Sequence, residues 1–318
     1  MLTSERDAQR FTEFILARLQ GTLAVGYQPT KLNARAAGEA VGAKLPKLLA
    51  QFVGVEAIDF TGFPDRFVLK PVNMASKHGV YLLHRREDGS YRNLFGRANL
   101  TEAAIKDRLR ALLTKRRRTE ETIFIAEELI EDENGPDQVP YDYKFYTFDG
   151  RPELIIQIDR NGPGKASKVA FFRADFTPLP PNLVRIEDSA VPGVPIRPRN
   201  WEAMVETASR VATQVDEPFI SVDLYTNGEE VVLGELTPGP GGPFFGGLFY
   251  FHPAFDGELG GYWRRALLRR GRSVPKVTGV PPSVQIHEID RARRFLPPTI
   301  RAGFDRVVRG VRRRLRRK

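Results

Sequence analysis

Two acidic residues flank a short turn in the stretch ISVDLYTNGEEVVLGELTPGPGG, residues 220–242. Asn-Gly between two apolar segments is a strong β-hairpin signal, which places Asp223 and Glu235 on paired strands. A two-residue loop at Asn227–Gly228 would put the two acids on opposite faces. A loop of three or five residues would instead make them diagonal neighbours on one face, roughly 7–8 Å apart. The register of this hairpin therefore decides whether the acids can act together.

Acids on one face of the hairpin would suit a divalent cation. Mg²⁺ is typically held by one or two carboxylates together with substrate phosphates. The Pro/Gly-rich residues 237–242 end the second strand and are predicted to form a loop over the site. The alternative is an ordinary hairpin with two exposed acids.

Basic residues are concentrated at the C-terminal end of the chain. The net charge is +10, but residues 271–318 contain 14 Lys or Arg and three Asp or Glu, so the remainder is close to neutral. This distribution argues against a basic globular domain that binds nucleic acid. Cys is absent, which excludes disulfides, thiolate metal sites and Cys nucleophiles. No stretch has the pattern of a membrane span or a signal peptide, and we expect a cytoplasmic protein.

Residues 299–318 have the pattern of a basic amphipathic helix. Apolar residues recur at intervals of three and four, and the opposite face is almost entirely Arg. Such a helix can lie on an anionic membrane surface, where each basic residue contributes about 1 kcal/mol. The alternatives are packing of the apolar face on the body of the protein and binding of a polyanion. Nucleic acid is not expected, because the aromatic interleaving typical of such sites is missing.

The rest of the chain alternates strand pairs with single helices, which predicts an α+β fold. Helices are predicted over residues 2–20, 33–51, 102–113 and 201–215. Strands are predicted over 67–69, 80–83, 123–126, 143–148 and 152–159, and residues 178–198 read as a surface loop.

Four motifs follow one another in a fixed order: FVLKP, IFIAEELIED, DYKFYTFDG, and VDLY followed by GELTPGPGG. Their order resembles that of the ATP-grasp superfamily. Their amino-acid sequences are similar to those of its branch named for teichuronopeptide biosynthesis, the TupA-like proteins. The resemblance spans about residues 63–247. It implies an ATP-grasp fold with two α+β lobes that clasp ATP, a helical N-terminal segment and the basic C-terminal helix.

On this resemblance the chain divides into four parts. Residues 1–62 would form a helical N-terminal region and residues 63–135 the first lobe. Residues 136–270 would form the second lobe with the metal-binding hairpin. Residues 271–318 would form the basic tail.

The resemblance also implies which residues bind the cofactors ATP and Mg²⁺. Lys70 and Lys144 would face the phosphates from two sides, with Lys77 adding charge from the flap. Adenine would be read by the segment Glu127, Glu128, Leu129 and Ile130, through the carbonyl of the first residue and the N–H of the last. Asp142 or Glu133 would take the ribose hydroxyls. Asp223, Glu235 and Thr237 would hold Mg²⁺ against the β- and γ-phosphates.

Three positions depart from the pattern of the family. The flap, residues 73–79, contains one glycine. Thr237 stands where Asn is usual, and Ser221 stands where an Arg often steadies the transition-state oxyanion. Arg160 is predicted to replace that arginine, with Lys144 as the second catalytic cation. The alternative for Arg160 is an ion pair with Asp159.

The implied activity is ligation of a carboxylate to an amine through an acyl phosphate. The substrates would be small-molecule or glycan-linked carboxylates and amines of cell-surface polysaccharide biosynthesis, with the tail holding the enzyme on the inner face of the membrane. One alternative is a phosphotransferase that stops at the phosphorylated substrate. Another is a membrane-associated nucleotide-binding or scaffolding protein with a degenerate site.

Overall fold

Two six-stranded β-sheets, both covered by helices, form the framework of the molecule. The computed structural model describes residues 9–74, 78–119, 121–132, 135, 138–161, 166–187, 189–241 and 248–275. The predicted tail helix, Lys77 and Glu133 lie outside the described residues. Helices and sheets of this kind confirm the predicted α+β class. In the described part of the chain, no helix combines the length and the apolar character that crossing a membrane requires.

Sheet 1 is built from the N-terminal strands, all paired antiparallel, in the spatial order β1-β6-β2-β3-β4-β5. The strands are β1 Leu48–Val53, β2 Arg66–Pro71, β3 Tyr81–Arg85, β4 Tyr91–Asn93, β5 Ala98–Leu100 and β6 Ile123–Glu128. Helix α3, Glu102–Lys115, packs on the face that carries Phe67 and Phe124. Because side chains alternate along a strand, Lys70 and Glu127 point to the opposite face.

Sheet 2 has the spatial order β11-β9-β8-β7-β12-β13, and only its β11–β9 pair is parallel. The strands are β7 Asp142–Phe148, β8 Arg151–Asp159, β9 Ser167–Phe172, β11 Ala190–Pro192, β12 Phe219–Thr226 and β13 Val231–Thr237. Strands β10, Val184–Ile186, and β14, Phe249–Phe251, form a separate two-stranded ribbon.

Helices cover both faces of sheet 2. Helices α2, Lys31–Ala40, and α4, Trp201–Val215, pack on one face with Ala34 and Met204 in the core. Helices α1, Phe11–Leu19, and α5, Pro253–Arg269, pack on the other face around Phe219 and Trp263. These helices cover one end of that second face, and the charged residues described below lie towards its other end.

Buried polar contacts attach the N-terminal segment to sheet 2. The backbone N–H and hydroxyl of Thr12 donate to Asp256 at 3.0 and 2.5 Å. Arg18 forms a buried ion pair with Glu217 at 2.9 Å and donates to the carbonyls of Phe219 and Pro238. Burial lowers the pKa of Arg18 to about 10, with Glu217 acting in the opposite direction. Helix α1 therefore holds the loop that follows β13.

Several sequence predictions are confirmed at the level of single contacts. Helix α4 has the predicted bounds, and Thr101 caps α3 by accepting from the N–H of Ala104 at 3.2 Å. The predicted strands 143–148 and 152–159 pair as the hairpin of β7 and β8, which turns at Asp149 and Gly150 with φ of +53° and +78°, as a two-residue turn of type I′ requires.

Three predicted boundaries are wrong. The predicted helix over residues 33–51 ends at Ala40, and residues 48–53 form β1, which pairs with β6 at the edge of sheet 1. Strand β6 does not stop at Ala126. It continues through Glu128, because β1 and β2 pair with it on both sides. The predicted loop over residues 178–198 contains the short strands β10 and β11. In each case pairing with a distant strand decides the local structure.

Candidate functional site

The two acids of the hairpin stand directly opposite each other. Thr226 pairs with Val231 across a four-residue loop, and a register shift then brings Asp223 opposite Glu235. Gly234 is the extra residue of this bulge. A Cβ there would lie 2.2 Å from the ring of Tyr225, so the position requires glycine. Of the two alternatives left open by the sequence, the one with both acids on one face is observed, but neither predicted register forms, because the bulge changes the parity that loop length alone would give.

Lys144 lies at the centre of the charged face. It is paired with Asp223 across β7 and β12. Its ammonium forms ion pairs with Asp223 and, at 3.1 Å, with Asp142. Arg160, just after β8, binds the same Asp142 oxygen at 3.0 Å. We call Asp142, Lys144, Arg160, Asp223 and Glu235 the acidic cluster, because three carboxylates face two cations.

The two central carboxylates, Asp142 and Asp223, have pKa values that are shifted in opposite directions. Burial raises the pKa of Asp223 to about 7. Lys144 opposes this rise, whereas Asp142 and Glu235 add to it. Burial also acts against the charged form of Asp142, but Lys144 and Arg160 outweigh it and hold that pKa below its ordinary value. Asp223 is therefore the carboxylate that would gain most from an additional cation.

A second charged group lies between the two sheets. Lys70 of β2 and Arg35 of α2 share the buried carboxylate of Glu127, the latter at 3.0 Å. Lys31, the first residue of α2, is 8% exposed. These four residues line one pocket together with Leu233. We call Lys31, Arg35, Lys70 and Glu127 the basic cluster.

The structure brings together most, but not all, of the predicted site residues. Lys144, Asp142, Arg160, Asp223 and Glu235 meet in the acidic cluster, and Thr237 lies opposite Ser221 at the end of the same hairpin. The predicted alternative pair of Arg160 with Asp159 does not form. The carboxylate of Asp159 binds Lys168 at 3.3 Å instead.

The predicted adenine segment begins inside a strand. The Glu127 side chain is committed to Lys70, which gives it a structural function that the sequence did not suggest. Glu128 is exposed, Leu129 is 7% exposed and packs near Val139, and Ile130 is half-buried. The assignment of adenine contacts to this segment stays a prediction.

Sequence reasoning missed Lys31 and Arg35. Both stand in an Ala-rich helical stretch where basic residues normally face solvent. Their contacts, the Met74 carbonyl and Glu127, lie far along the chain. The available signal is a lysine, Lys31, that directly follows the N-capping Thr30, with no acid in the first turn of the helix.

The acidic cluster fits a metal ion that takes some of its ligands from a substrate. Within the described ranges, no three His, Cys, Asp or Glu side chains form a group that could hold a metal ion. Asp223 and Glu235 nevertheless supply two carboxylates side by side, and Mg²⁺ bound to a nucleotide commonly needs no more. Ser221 donates to Asp223 at 2.9 Å and orients it.

Two sheets that carry charged side chains, with Lys144, Asp223 and Glu235 on one and Lys70 on the other, are the arrangement expected of an ATP-grasp protein. The family model of TupA-like ATP-grasp proteins matches residues 40–264, and the chain belongs to that family. A comparison with curated proteins gives no match.

Solved structures similar to this chain include distant ligases. D-alanine–D-alanine ligase from Bacillus anthracis is 15% identical over 76% of this chain and 67% of its own, with a TM-score of 0.44. Its complex with ATP is 13% identical over 80% of this chain and 74% of its own, with the same TM-score of 0.44. L-amino acid ligase from Bacillus licheniformis is 15% identical over 67% of this chain and 41% of its own, with a TM-score of 0.37.

Proposed function

We propose that the protein is an ATP- and Mg²⁺-dependent carboxylate–amine ligase. The single observation that carries the proposal is the row formed by Lys144, Asp223 and Glu235 on three adjacent strands, with Lys70 on the other sheet. Membership of an ATP-grasp family supports the same assignment. This row offers two carboxylates for a metal ion and a lysine for the phosphates that the ion would bridge.

Each residue has a defined task in this proposal. Asp223 and Glu235 would hold Mg²⁺, which when bound would neutralise charge on the β- and γ-phosphates. Lys70 and Lys144 would bind phosphate oxygens from the two sheets. Arg160, oriented by Asp142, would stabilise the negative charge that develops on the carboxylate during its activation.

The proposed reaction has two displacement steps. A carboxylate oxygen of the first substrate attacks the γ-phosphorus of ATP, and ADP leaves with the electrons of the broken P–O bond. The amine of the second substrate then attacks the carbonyl carbon of the acyl phosphate. Inorganic phosphate leaves, the amine nitrogen loses a proton, and an amide remains. The residues position the reactants and neutralise charge, and no covalent enzyme intermediate is needed.

The proposal extends to the substrates and the place of action. We infer small-molecule or glycan-linked substrates of cell-surface polysaccharide biosynthesis, supported by the resemblance of the motifs. We also propose a cytoplasmic enzyme attached to the membrane surface through residues 299–318, supported by the basic amphipathic pattern alone. Sedimentation of the full chain with anionic and with neutral vesicles tests this attachment, and equal recovery in the supernatant with both would refute it.

Two other functions use the same site. A phosphotransferase would perform the first displacement and release the phosphorylated substrate. A nucleotide-binding scaffold without turnover is favoured by one specific observation. Ser221, at the position where an arginine often steadies the oxyanion, is fully buried and donates to Asp223. In that case ATP would bind, but no pair of substrates would accelerate the release of ADP.

The test is thermal stabilisation by ATP with Mg²⁺. Wild type, Glu235→Gln and the exposed-turn control Glu229→Gln are melted with and without ligand. A ligand that binds only the native state raises the melting temperature. We expect a Mg²⁺-dependent rise for wild type and the control, and its loss in Glu235→Gln. A screen of carboxylate and amine pairs for ADP release follows. No rise at millimolar ATP in folded wild type refutes the ligase proposal.

A further inference from the structure

Helix α2 brings two basic side chains into the pocket between the sheets. Lys31 is its first residue and Arg35 lies one turn later. The family match begins at residue 40, so nearly all of this helix precedes it and family membership gives neither side chain a role. Both residues line the pocket that also contains Lys70 and Glu127.

Lys31 occupies a position that is unfavourable for a cation. It is 8% exposed, and it stands at the N-terminus of a helix, where the helix dipole is positive. The first turn of α2 contains no acidic residue. Within the described part of the chain its ammonium makes one hydrogen bond, to the Met74 carbonyl at 2.8 Å, and no ion pair. Burial lowers the pKa of Lys31, and the charge of Glu235 opposes this shift.

The same protein gives a buried cation several partners where that cation is structural. Arg18 has an ion pair with Glu217, hydrogen bonds to the carbonyls of Phe219 and Pro238, and a stacking contact with Trp263 at 4.6 Å. Of these kinds of contact, Lys31 has only one among the described residues, its hydrogen bond to the Met74 carbonyl. A buried charge without a counter-charge destabilises the folded state. The missing counter-charge of Lys31 is therefore expected to come from a ligand.

The charged residues that line the pocket indicate that this ligand is an anion. Three cations line it against a single carboxylate, and Glu127 already serves two of them. The hydroxyl of Tyr27 is buried and has no hydrogen-bond partner among the described residues. Like Lys31, it lies close enough to Glu235 for that charge to affect its pKa. An anion with several oxygen acceptors beside Glu235 would satisfy both groups.

We propose that the side chain of Lys31, together with that of Lys70, binds a phosphate group of the nucleotide. The proposal rests on the proposed function, which supplies the nucleotide. It makes the N-terminal segment part of the nucleotide site and not only a cover for sheet 2. The carboxylate of the first substrate has related chemistry, and the experiment separates the two sources.

The experiment compares wild type, Lys31→Met and the control Lys44→Met by isothermal titration. Lys44 is a suitable control because it lies nearby, is 48% exposed and forms only a surface pair with Glu230. Adenosine, ADP and ATP are titrated with Mg²⁺ present. We expect Lys31→Met to weaken ATP binding about tenfold or more and to leave adenosine binding unchanged. Its unliganded melting temperature should equal or exceed that of wild type, because the substitution removes an uncompensated buried cation.

Three results would overturn the proposal. Equal ATP affinity in wild type and Lys31→Met would show that the lysine does not contact the nucleotide. An equal loss for adenosine and ATP would show a structural role. Loss of acetate binding at saturating ATP, with ATP affinity unchanged, would assign Lys31 to the substrate carboxylate. If wild type binds no nucleotide at all, the proposed function itself is refuted. This result differs from the other three, in which wild type still binds ATP.

Discussion

The acidic and basic clusters differ in both charge balance and origin. The acidic cluster has three carboxylates against two cations, and its members come from neighbouring strands of one sheet and from the residue just after β8. The basic cluster has three cations against one carboxylate, and its members come from α2, β2 and β6. Among the described residues, no ion pair connects the two clusters. Each cluster therefore keeps its own excess of charge.

This difference indicates which kind of ligand the two clusters would suit together. An excess of carboxylate is suited to a metal cation, and an excess of ammonium and guanidinium is suited to phosphate. A magnesium–nucleotide complex presents both charges in one ligand. Uncompensated charge lowers the stability of the empty protein, and proteins commonly accept such destabilisation at functional sites. The clusters should therefore respond to mutation differently from an ion pair that serves only the fold.

The largest expected effect is a loss of stability when the buried ion pair of Arg18 and Glu217 is broken. Arg18→Met leaves a buried carboxylate without its counter-charge, and breaking such a pair costs roughly 3–5 kcal/mol. Urea unfolding measures the loss. The double variant with Glu217→Gln should recover part of it, since the isolated charge is then gone. A loss below about 1 kcal/mol would show that this pair is no more than a surface interaction.

The next effect is on turnover, at the acidic cluster. Asp223→Asn removes one of the two proposed metal ligands and a partner of Lys144, and we expect ADP release to slow by about 10²–10³-fold, as when one strong electrostatic contact to a transition state is lost. Glu229→Gln, in the exposed turn of the same hairpin, is the control. Turnover within a factor of three of wild type in Asp223→Asn would separate this cluster from catalysis.

Most members of the acidic cluster could be predicted from sequence, whereas Lys31 and Arg35 of the basic cluster could not. Asp223 and Lys144 lie in strands with clear alternation, but Glu235 shares their face only through the bulge at Gly234. The bulge at Gly234 could not be predicted, because its cause is the ring of Tyr225 on the paired strand. Arg160 joins Asp142 and not its sequence neighbour for the same kind of reason.

The basic cluster depends on packing between distant segments. Arg35 and Glu127 are far apart in sequence and meet only because α2, packed on sheet 2, brings Arg35 to Glu127 of sheet 1. A single sequence gives no signal for such a pair. The strand β1 was missed for a related reason, since its formation depends on pairing with β6.

A pH effect distinguishes Asp223 from ordinary carboxylates. Burial raises the pKa of Asp223 to about 7, above its value in the unfolded chain. Between about pH 4 and 7 the native state therefore holds a proton that the unfolded state has released, and this group lowers stability as pH rises. The slope is at most about 1.4 kcal/mol per pH unit.

Unfolding free energies of unliganded wild type and Asp223→Asn at pH 5, 6, 7 and 8 check this prediction. The difference between the two proteins removes the contribution of other titrating groups. We expect wild type to lose stability relative to the variant up to about pH 7 and to level off above it. A difference that is constant across the range would place the pKa of Asp223 in its ordinary range.

The smallest effect is expected at the surface. Lys44 and Glu230 form an ion pair with both side chains 48% exposed. Lys44→Met should change the free energy of unfolding by less than about 0.5 kcal/mol and leave nucleotide affinity unchanged. Urea unfolding and titration with ATP measure both quantities. A larger change in either would mean that the basic cluster extends beyond its four residues.

The most direct test of the complementary clusters is isothermal titration of ATP, with and without Mg²⁺, into wild type, Lys31→Met and Glu235→Gln. If the basic cluster binds phosphate and the acidic cluster binds the metal, Lys31→Met weakens ATP binding under both conditions. Glu235→Gln removes only the gain in affinity that Mg²⁺ provides. If both variants lose only the part of the ATP affinity that depends on Mg²⁺, the two clusters do not bind separate parts of the ligand. That result would contradict the assignment of phosphate to the basic cluster and metal to the acidic cluster.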